Sequence, residues 1–377
     1  EAARPLGVDT STLHKSIAAL KDKASIRGYS PEHGMTHLVP PTHVAKGVST
    51  YWNDEGKISG QWVKADLKQE AYNAMVKEAV AGFLEGLPEV PAPSGPKDYS
   101  TDVIPWVCIG DAHLGMLAHE AEVGQNFDLK IAERELCGAI DILFDEMPNC
   151  ERCVINDLGD ATHYQNLLGL TESGHHLDYD GRFHKMIRTY VRVMRFIVEK
   201  ALTKAKHVDV IINQGNHSRT NDWWCAELLR AAYEHTGRVH VLPNTSVYIA
   251  YRMGNTFVMT HHSDKCKPAQ LAHVMATDFA KDWGETSYRY IDVGHVHHRM
   301  ATKEHPGVII ESFNNLAPMD KYAHDGGWRS RQSISVVLRS RTYGEIGRRL
   351  LPIDEIRDRI QVAIGQYVAK PKEAYSV

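Results

Sequence analysis

The chain has 377 residues, 43% of them hydrophobic and 24% charged, an ordinary balance for a globular protein that excludes fibrous and disordered classes. Its formal net charge of −4 gives no global attraction for nucleic acid, so any such surface must come from local basic patches. No apolar run reaches the roughly 18 residues of a membrane span and none near Glu1 reads as a signal peptide, so a cytoplasmic protein with no membrane partner is expected.

Residues 1 to 30 carry Ala3, Gly7, Val8, Leu13, Ile17 and Leu20 as small or apolar positions. The pattern is similar to a helix-turn-helix, with Gly7 in the turn, Asp9 or Thr10 capping the second helix and Leu13, Ile17 and Leu20 on its buried face. Gly28-Tyr29-Ser30-Pro31 would follow as a wing. A helical period over 66–85 precedes the Pro-, Gly- and Ser-rich GLPEVPAPSGPKDYS of 86–100, which reads as a linker. The expected division is therefore a helix-turn-helix-like and helical region over 1–85, a linker over 86–100, a main domain over 101–352 and a peripheral helical tail over 353–377.

From Val103 onward short β-rich runs alternate with amphipathic stretches. Strands are predicted at 103–110, 153–159, 207–214, 255–261, 289–294, 307–312 and 333–339, and helices at 129–147, 182–206 and 222–236. In the 182–206 helix, Phe183, Ile187, Val191, Met194 and Val198 mark the expected core face. The alternation implies βαβ units with a site at the carboxyl ends of the strands. The six cysteines are scattered rather than paired as a disulfide framework, and Cys150-x-x-Cys153 has no second pair, so all are expected to be free packing thiols.

The 22 histidines are a heavy load, and several follow a glycine at the end of an apolar run. Five short sequences lie in order: Gly110-Asp111-Ala112-His113, Gly159-Asp160, Gly215-Asn216-His217, His261-His262 and Gly294-His295-Val296-His297. Each places a ligand-type residue just after a turn, where a rigid sheet can fix its position. Carboxylate and amide oxygens with imidazole nitrogens suit manganese, iron, zinc or similar ions rather than calcium. Two such ions, about 3.5–4 Å apart, could share a carboxylate and stabilise in-line attack at phosphorus.

The ordered set resembles the calcineurin-like metallophosphoesterase superfamily, whose pattern is Asp-x-His, Gly-Asp, Gly-Asn-His, a lone His and Gly-His-x-His, over roughly residues 101 to 340. The resemblance implies an α/β fold: a metallophosphoesterase-type β-sandwich flanked by helices, with a small, mainly helical N-terminal domain. It implies two divalent metal ions, with manganese first and iron, zinc, nickel or magnesium the others. By motif, Asp111, His113 and His297 would hold one metal, Asp160 would bridge, and Asn216, His261 and His295 would hold the other. His261 directly ends the Phe257-Val258-Met259 run; His262 is the alternative. His217 would donate a hydrogen bond or proton to the phosphate or leaving group, and the attacking group would be metal-bound hydroxide. One departure is Ser218, where the family commonly has the Asp or Glu that orients this histidine; Asp222 or Asp264 would have to substitute. His163, His175, His176, His184 and His298 are expected to be surface, packing or substrate-contacting residues.

Three features lean toward a nucleic-acid substrate: the helix-turn-helix pattern, the 180–206 stretch of net charge +6, and the 321–350 stretch of net charge +5. Gly159-Asp160-Ala161-Thr162-His163 lacks the Val-Asp-Arg-Gly continuation of the protein phosphatases, which brings the chain nearest the DNA repair nuclease branch; Glu311-Ser312-Phe313-Asn314 would parallel a turn found there. The combination with a helix-turn-helix also resembles proteins encoded by tailed bacteriophages. The expected function is a two-metal phosphodiesterase or nuclease. The alternatives are a phosphomonoesterase acting on a nucleotide or phosphoprotein, and a DNA-binding regulator with an inactive hydrolase core.

Overall fold

The computed structural model describes residues 9–26, 29–31, 35–36, 43–55, 58–67, 92–167, 169, 177–301, 307–327 and 329–368. The chain divides into two units, Glu1–Gly86 and Leu87–Val377.

In the first unit, helix α1 (Thr10–Ile26) starts where the Asp9 carboxylate accepts the Ser11 backbone N–H at 3.0 Å, the capping role expected of Asp9 or Thr10. The expected buried stripe is not buried. Leu13 is half-covered, but Ile17 and Leu20 are 42% and 66% exposed, and the helix that would cover them falls on positions 1–8, outside the described residues. Two antiparallel pairs follow, β1 (Tyr29–Ser30) with β2 (Met35–Thr36), and β3 (His43–Trp52) with β4 (Ile58–Leu67). The β3–β4 hairpin was not anticipated, and it claims residues 66 and 67; the rest of the expected 66–85 helix lies outside the described residues.

The second unit runs β5 (Val103–Ile109), α2 (Glu120–Val123), α3 (Leu129–Glu146), β6 (Cys150–Asp157), α4 (Phe183–Lys204), β7 (Ala205–Ile212), α5 (Arg219–Tyr233), β8 (Val239–Val241), β9 (Ile249–Met253), β10 (Thr256–His261), α6 (Pro268–Asp278), α7 (Ala280–Gly284), β11 (Tyr288–Val293), β12 (Met300–Ala301), β13 (Ile309–Ser312), α8 (Lys321–Asp325), β14 (Ser333–Ser340), β15 (Gly344–Pro352) and α9 (Ile353–Val368). One sheet has the order β15-β14-β5-β6-β7-β8, parallel from β5 to β8, with β14 and β15 antiparallel at one edge. The other has the order β12-β13-β11-β10-β9, parallel through β13, β11 and β10.

Period-2 alternation sorts the strand residues into layers. Trp106, Cys108, Val154, Ile211, Val258, Tyr290 and Val337 face one another between the sheets. Val107, Ile109, Ile155, Val210 and Val336 turn the other way, against α3, α4 and α5. On the far side Phe257, Met259, Ile291 and Ile310 pack with Leu271 and Met275 of α6. The result is a two-sheet sandwich flanked by helices, the α/β class expected.

Three local expectations need correction. Of the expected face of α4, Met194 and Val198 are buried, but Phe183, Ile187 and Val191 are only partly covered, and Met186, Tyr190, Val193 and Ile197 join the buried face. Both stripes are apolar in sequence, and contact with the sheet selects between them. The tail is not wholly peripheral either, since Ile356 of α9 is fully buried and the Ile360 side chain fills the space beside Gly138 of α3. Residues 92–100 are not a free tether: the Pro93 carbonyl accepts from Arg238, and Ser100 bridges to Cys150. The cysteines are free, and Cys150 and Cys153 are buried in β6. No helix among the described residues is long and apolar enough to cross a membrane.

Candidate metal centre

Each of the five motifs follows the carboxyl end of a parallel strand: β5, β6 and β7 in one sheet, β10 and β11 in the other. The chain turns there so tightly that Asp111, His113, Asp160, His295 and His297 all take positive φ, between 23° and 68°. Non-glycine residues avoid this region, so five outliers in one locus mark a place where local strain is sustained by the surrounding packing. Gly215 permits the approach, because a Cβ there would collide with the side chain and backbone of Asp160.

The side chains form two touching groups. Asp111, His113 and His297 bring their ligand atoms together: His113 Nε2 lies 3.1 Å from His297 Nε2, which is 3.6 Å from Asp111 Oδ1. Asp160, His262 and His295 form the second. There His262 Nε2 is 3.0 Å from Asp160 Oδ2 and 3.0 Å from Asn216 Oδ1. Asp111, His113, Asp160 and His262 form a buried floor, while Asn216, His217, His295 and His297 are half-exposed above it.

This corrects the choice of His261. Its side chain follows the parity of Phe257 and Met259 toward the outer helix layer, where it stacks on Tyr248 at 4.9 Å and accepts the Ser263 N–H at 2.7 Å. His262 follows the parity of Val258 and Thr260, toward the seam between the sheets, and its Nδ1 is anchored 2.8 Å from the Leu158 carbonyl.

The backbone N–H of His217 donates to Asp160 Oδ1 at 2.7 Å, and its Nδ1 sits 2.9 Å from the His163 carbonyl oxygen. A carbonyl only accepts, so Nδ1 carries the hydrogen and Nε2 is left free for chemistry. Neither acid considered at the Ser218 departure orients this ring. Asp222 accepts from the Gly215 N–H at 2.9 Å and from the Ser218 hydroxyl at 2.5 Å, so it shapes the turn, and Asp264 pairs with Arg219.

His163 is more involved than expected. It is buried, with Nδ1 3.2 Å from Nδ1 of His113, and its ring stacks 5.5 Å from that of His217. An Nδ1–H on His113 donating to His163 would leave Nε2 of His113 as the ligand atom, the arrangement that orients a metal-binding imidazole. The sequence hint was the spacing Asp160-x-x-His163. His184 and His298 are exposed, and His175 and His176 lie outside the described residues.

Three of the four imidazoles suit divalent cations as they stand, while without a cation the Asp160 and Asp111 carboxylates push His262, against its burial, up to about 10. Burial, reinforced by neighbouring imidazoles, holds His113 well below the usual range and His297 down to about 4; burial also lowers His295. All three are thereby kept neutral, with a lone pair to offer. Burial raises Asp111 to about 7, with repulsion from Asp160 adding to the rise. Burial would also raise Asp160, but the charge and contact of His262 hold it well below the ordinary carboxylate range. Asp160 Oδ2 is buried 3.0 Å from His262 Nε2, so the pair presents an oxygen and a nitrogen to a cation that takes the place of the proton between them. The residues therefore fit two divalent ions, one at each group.

No protein-family model and no curated protein matches the chain. Solved structures to which it shows some likeness include a predicted phosphoesterase from Streptococcus pneumoniae, at 9% identity over 67% of this chain and 99% of that one, with a TM-score of 0.27. The phosphoesterase Yfce from E. coli is 12% identical over 65% of this chain and 98% of its own, with a TM-score of 0.32. A dimetal phosphatase from Danio rerio is 9% identical over 67% and 99%, with a TM-score of 0.34. Likeness this low carries no argument; the side chains of the site do.

Proposed function

We propose that this chain is a phosphoester hydrolase that works with two divalent cations. The observation that carries the reading is the pairing of Asp111, His113 and His297 with Asp160, His262 and His295 at the strand ends, on strained turns, with Asn216 and His217 alongside. Two cations held there supply Lewis-acid polarisation of phosphoryl oxygens and activate the attacking water. Asp111, His113 and His297 would hold one, and Asn216, His262 and His295 the other, with Asp160 between them.

The chain's own contribution centres on His217. With Nδ1–H fixed to the His163 carbonyl, Nε2 can hold or deliver a proton at the phosphoryl or leaving-group oxygen. The buried floor excludes water from the acidic side, while the half-exposed rim admits substrate.

The finer reading is a phosphodiesterase acting on nucleic acid. It is supported by the basic stretch of α4 and by an N-terminal unit whose helix and antiparallel strands suit a binding module. The 321–350 stretch lends less support than its charge suggested: Lys321, Arg339, Arg341, Arg348 and Arg349 are all engaged by carboxylates. The test is manganese-dependent cleavage of labelled single- and double-stranded oligonucleotides, with Asp160→Ala as control and a phosphomonoester alongside. Oligonucleotide cleavage that vanishes in the variant upholds the reading; phosphate release from the monoester alone replaces it with a phosphatase.

A further inference from the structure

A cavity of about 560 Å³ opens between the N-terminal ends of α3 and α4, away from the metal-type side chains. It lies within the size range of ligand pockets, about 300–1,000 Å³, but its lining is unusual for one. Lys130, Arg182, Lys185, Arg188 and Arg192 face it, against the single carboxylate Glu133. Glu133 is already committed, gripping Arg192 through two bonds of 2.5 and 2.6 Å. The charged groups of Lys130, Arg182, Lys185 and Arg188 have no hydrogen-bond or ion-pair partner among the described residues. Four exposed cations on one cavity wall form a positive patch that would attract a polyanion.

We infer that this cavity is a cradle for the sugar-phosphate backbone of a polynucleotide; the inference rests on the phosphodiesterase reading of the neighbouring centre. The spacing fits. Arg182, Lys185 and Arg188 recur every three residues, so at 1.5 Å per residue they extend about 9 Å along the helix, enough to meet two or three successive phosphates of one strand. The position fits as well. Phe183, between the lining residues Arg182 and His184, packs against Tyr164, which directly follows His163 of the metal centre. The cradle thus lies on the flank reached by the loop that carries His163.

The lining also separates a nucleic acid from an acidic protein. Leu129 is the only large apolar side chain in it, and apart from the His184 imidazole it holds no aromatic ring. A protein partner would want an apolar or aromatic anchor at the centre of its interface, whereas a phosphate chain needs only charge and the forked donors of arginine. Contacts made by charge to phosphates carry no sequence information, so the cradle would bind any sequence alike.

The experiment compares the full-length protein with the Arg182→Ala/Lys185→Ala/Arg188→Ala variant. Binding of a short labelled oligonucleotide is followed by fluorescence anisotropy in EDTA, so that no turnover occurs, while salt is raised from about 50 to 200 mM. Hydrolysis of bis(4-nitrophenyl) phosphate with manganese is measured separately. The expected result is an affinity loss of about tenfold or more and a salt slope shallower by about three, one per phosphate contact, with the small diester still cleaved at the wild-type rate. Unchanged affinity and slope in the variant would overturn the inference, as would a wild-type protein that binds no oligonucleotide, or poly-glutamate competing as well as DNA. Failure of the wild type to cleave the small diester, with binding intact, would instead remove the hydrolase reading and leave the cradle standing.

Discussion

The carbonyl oxygen of His163 lies 2.9 Å from Nδ1 of His217, so a backbone group supplies the orientation that a carboxylate was expected to provide. The His163 side chain points elsewhere, to Nδ1 of His113. The two functions of this residue can therefore be separated by mutation. In His163→Ala the carbonyl remains, so His217 keeps its hydrogen bond though it loses the stacked ring, while His113 loses its partner; metal affinity should fall about 10- to 100-fold with a smaller change in kcat at saturating metal. In His217→Ala metal affinity should persist while kcat drops by about 10²–10⁴. Titration calorimetry with manganese and steady-state kinetics on both variants check the split, and identical behaviour of the two would refute it.

His261 and His262 are adjacent but face opposite sides of their sheet. His262→Ala should abolish binding of one of two metal equivalents, because it removes the contact shared with Asp160 and Asn216. His261→Ala should retain both equivalents and lose only the stacking on Tyr248. Metal content after dialysis, read by mass spectrometry, decides; reversal of the two results would return His261 to the site.

Removing metal should leave the protein folded but less stable. A ligand that binds only the native state stabilises it by about 2.7 kcal/mol at a hundredfold excess over Kd, so manganese should raise the Tm of the metal-stripped protein. The rise should disappear in Asp160→Ala, where the carboxylate beside His262 is gone. An equal rise in that variant would mean that the cations bind elsewhere.

Acid stability should depend partly on Glu311. Burial alone would raise its pKa, but the guanidiniums of Arg348 and Arg299 hold it below the ordinary 4.5. A carboxylate depressed in the folded state adds stability that is fully present above its unfolded value and is lost as pH falls through the folded one. Glu311→Gln should therefore cost about 1–3 kcal/mol near neutrality and flatten the decline of Tm below about pH 4.5. Thermal melts from pH 7 to 3 measure it, and parallel curves for the two proteins would assign the acid sensitivity to other groups.

Much of the second unit could be read along the chain. The strands from β5 to β7 and the helices α3 and α4 fall within a few residues of their predicted spans, because their apolar periods are long and their ends carry Gly or Asp. Short elements such as β8, β12 and α7 left too few periods to register, and the β14–β15 hairpin was obscured because β15 carries Gly347, Arg348 and Arg349 at its centre. Arg348 and Arg349 then proved to be partners of the nearby Glu345 and Glu355 and, across the fold, of Glu311 and Glu146.

The order of the motifs along the chain already specified which chemical groups would meet, because a ligand placed just after a strand end can only sit at the carboxyl edge of a sheet. It could not specify which of two neighbours turns inward. In β10 both faces are buried, one against α6 and one against the opposite sheet, so the alternation of Phe257, Val258, Met259 and Thr260 shows no polarity and the choice between His261 and His262 is silent in sequence. Nor could sequence separate the neutralised cations of β15 from the open ones of α4. Charge is a property of the residue, but whether it is cancelled depends on carboxylates more than 30 positions away, such as Glu311 opposite Arg348, and only the tertiary fold brings these together.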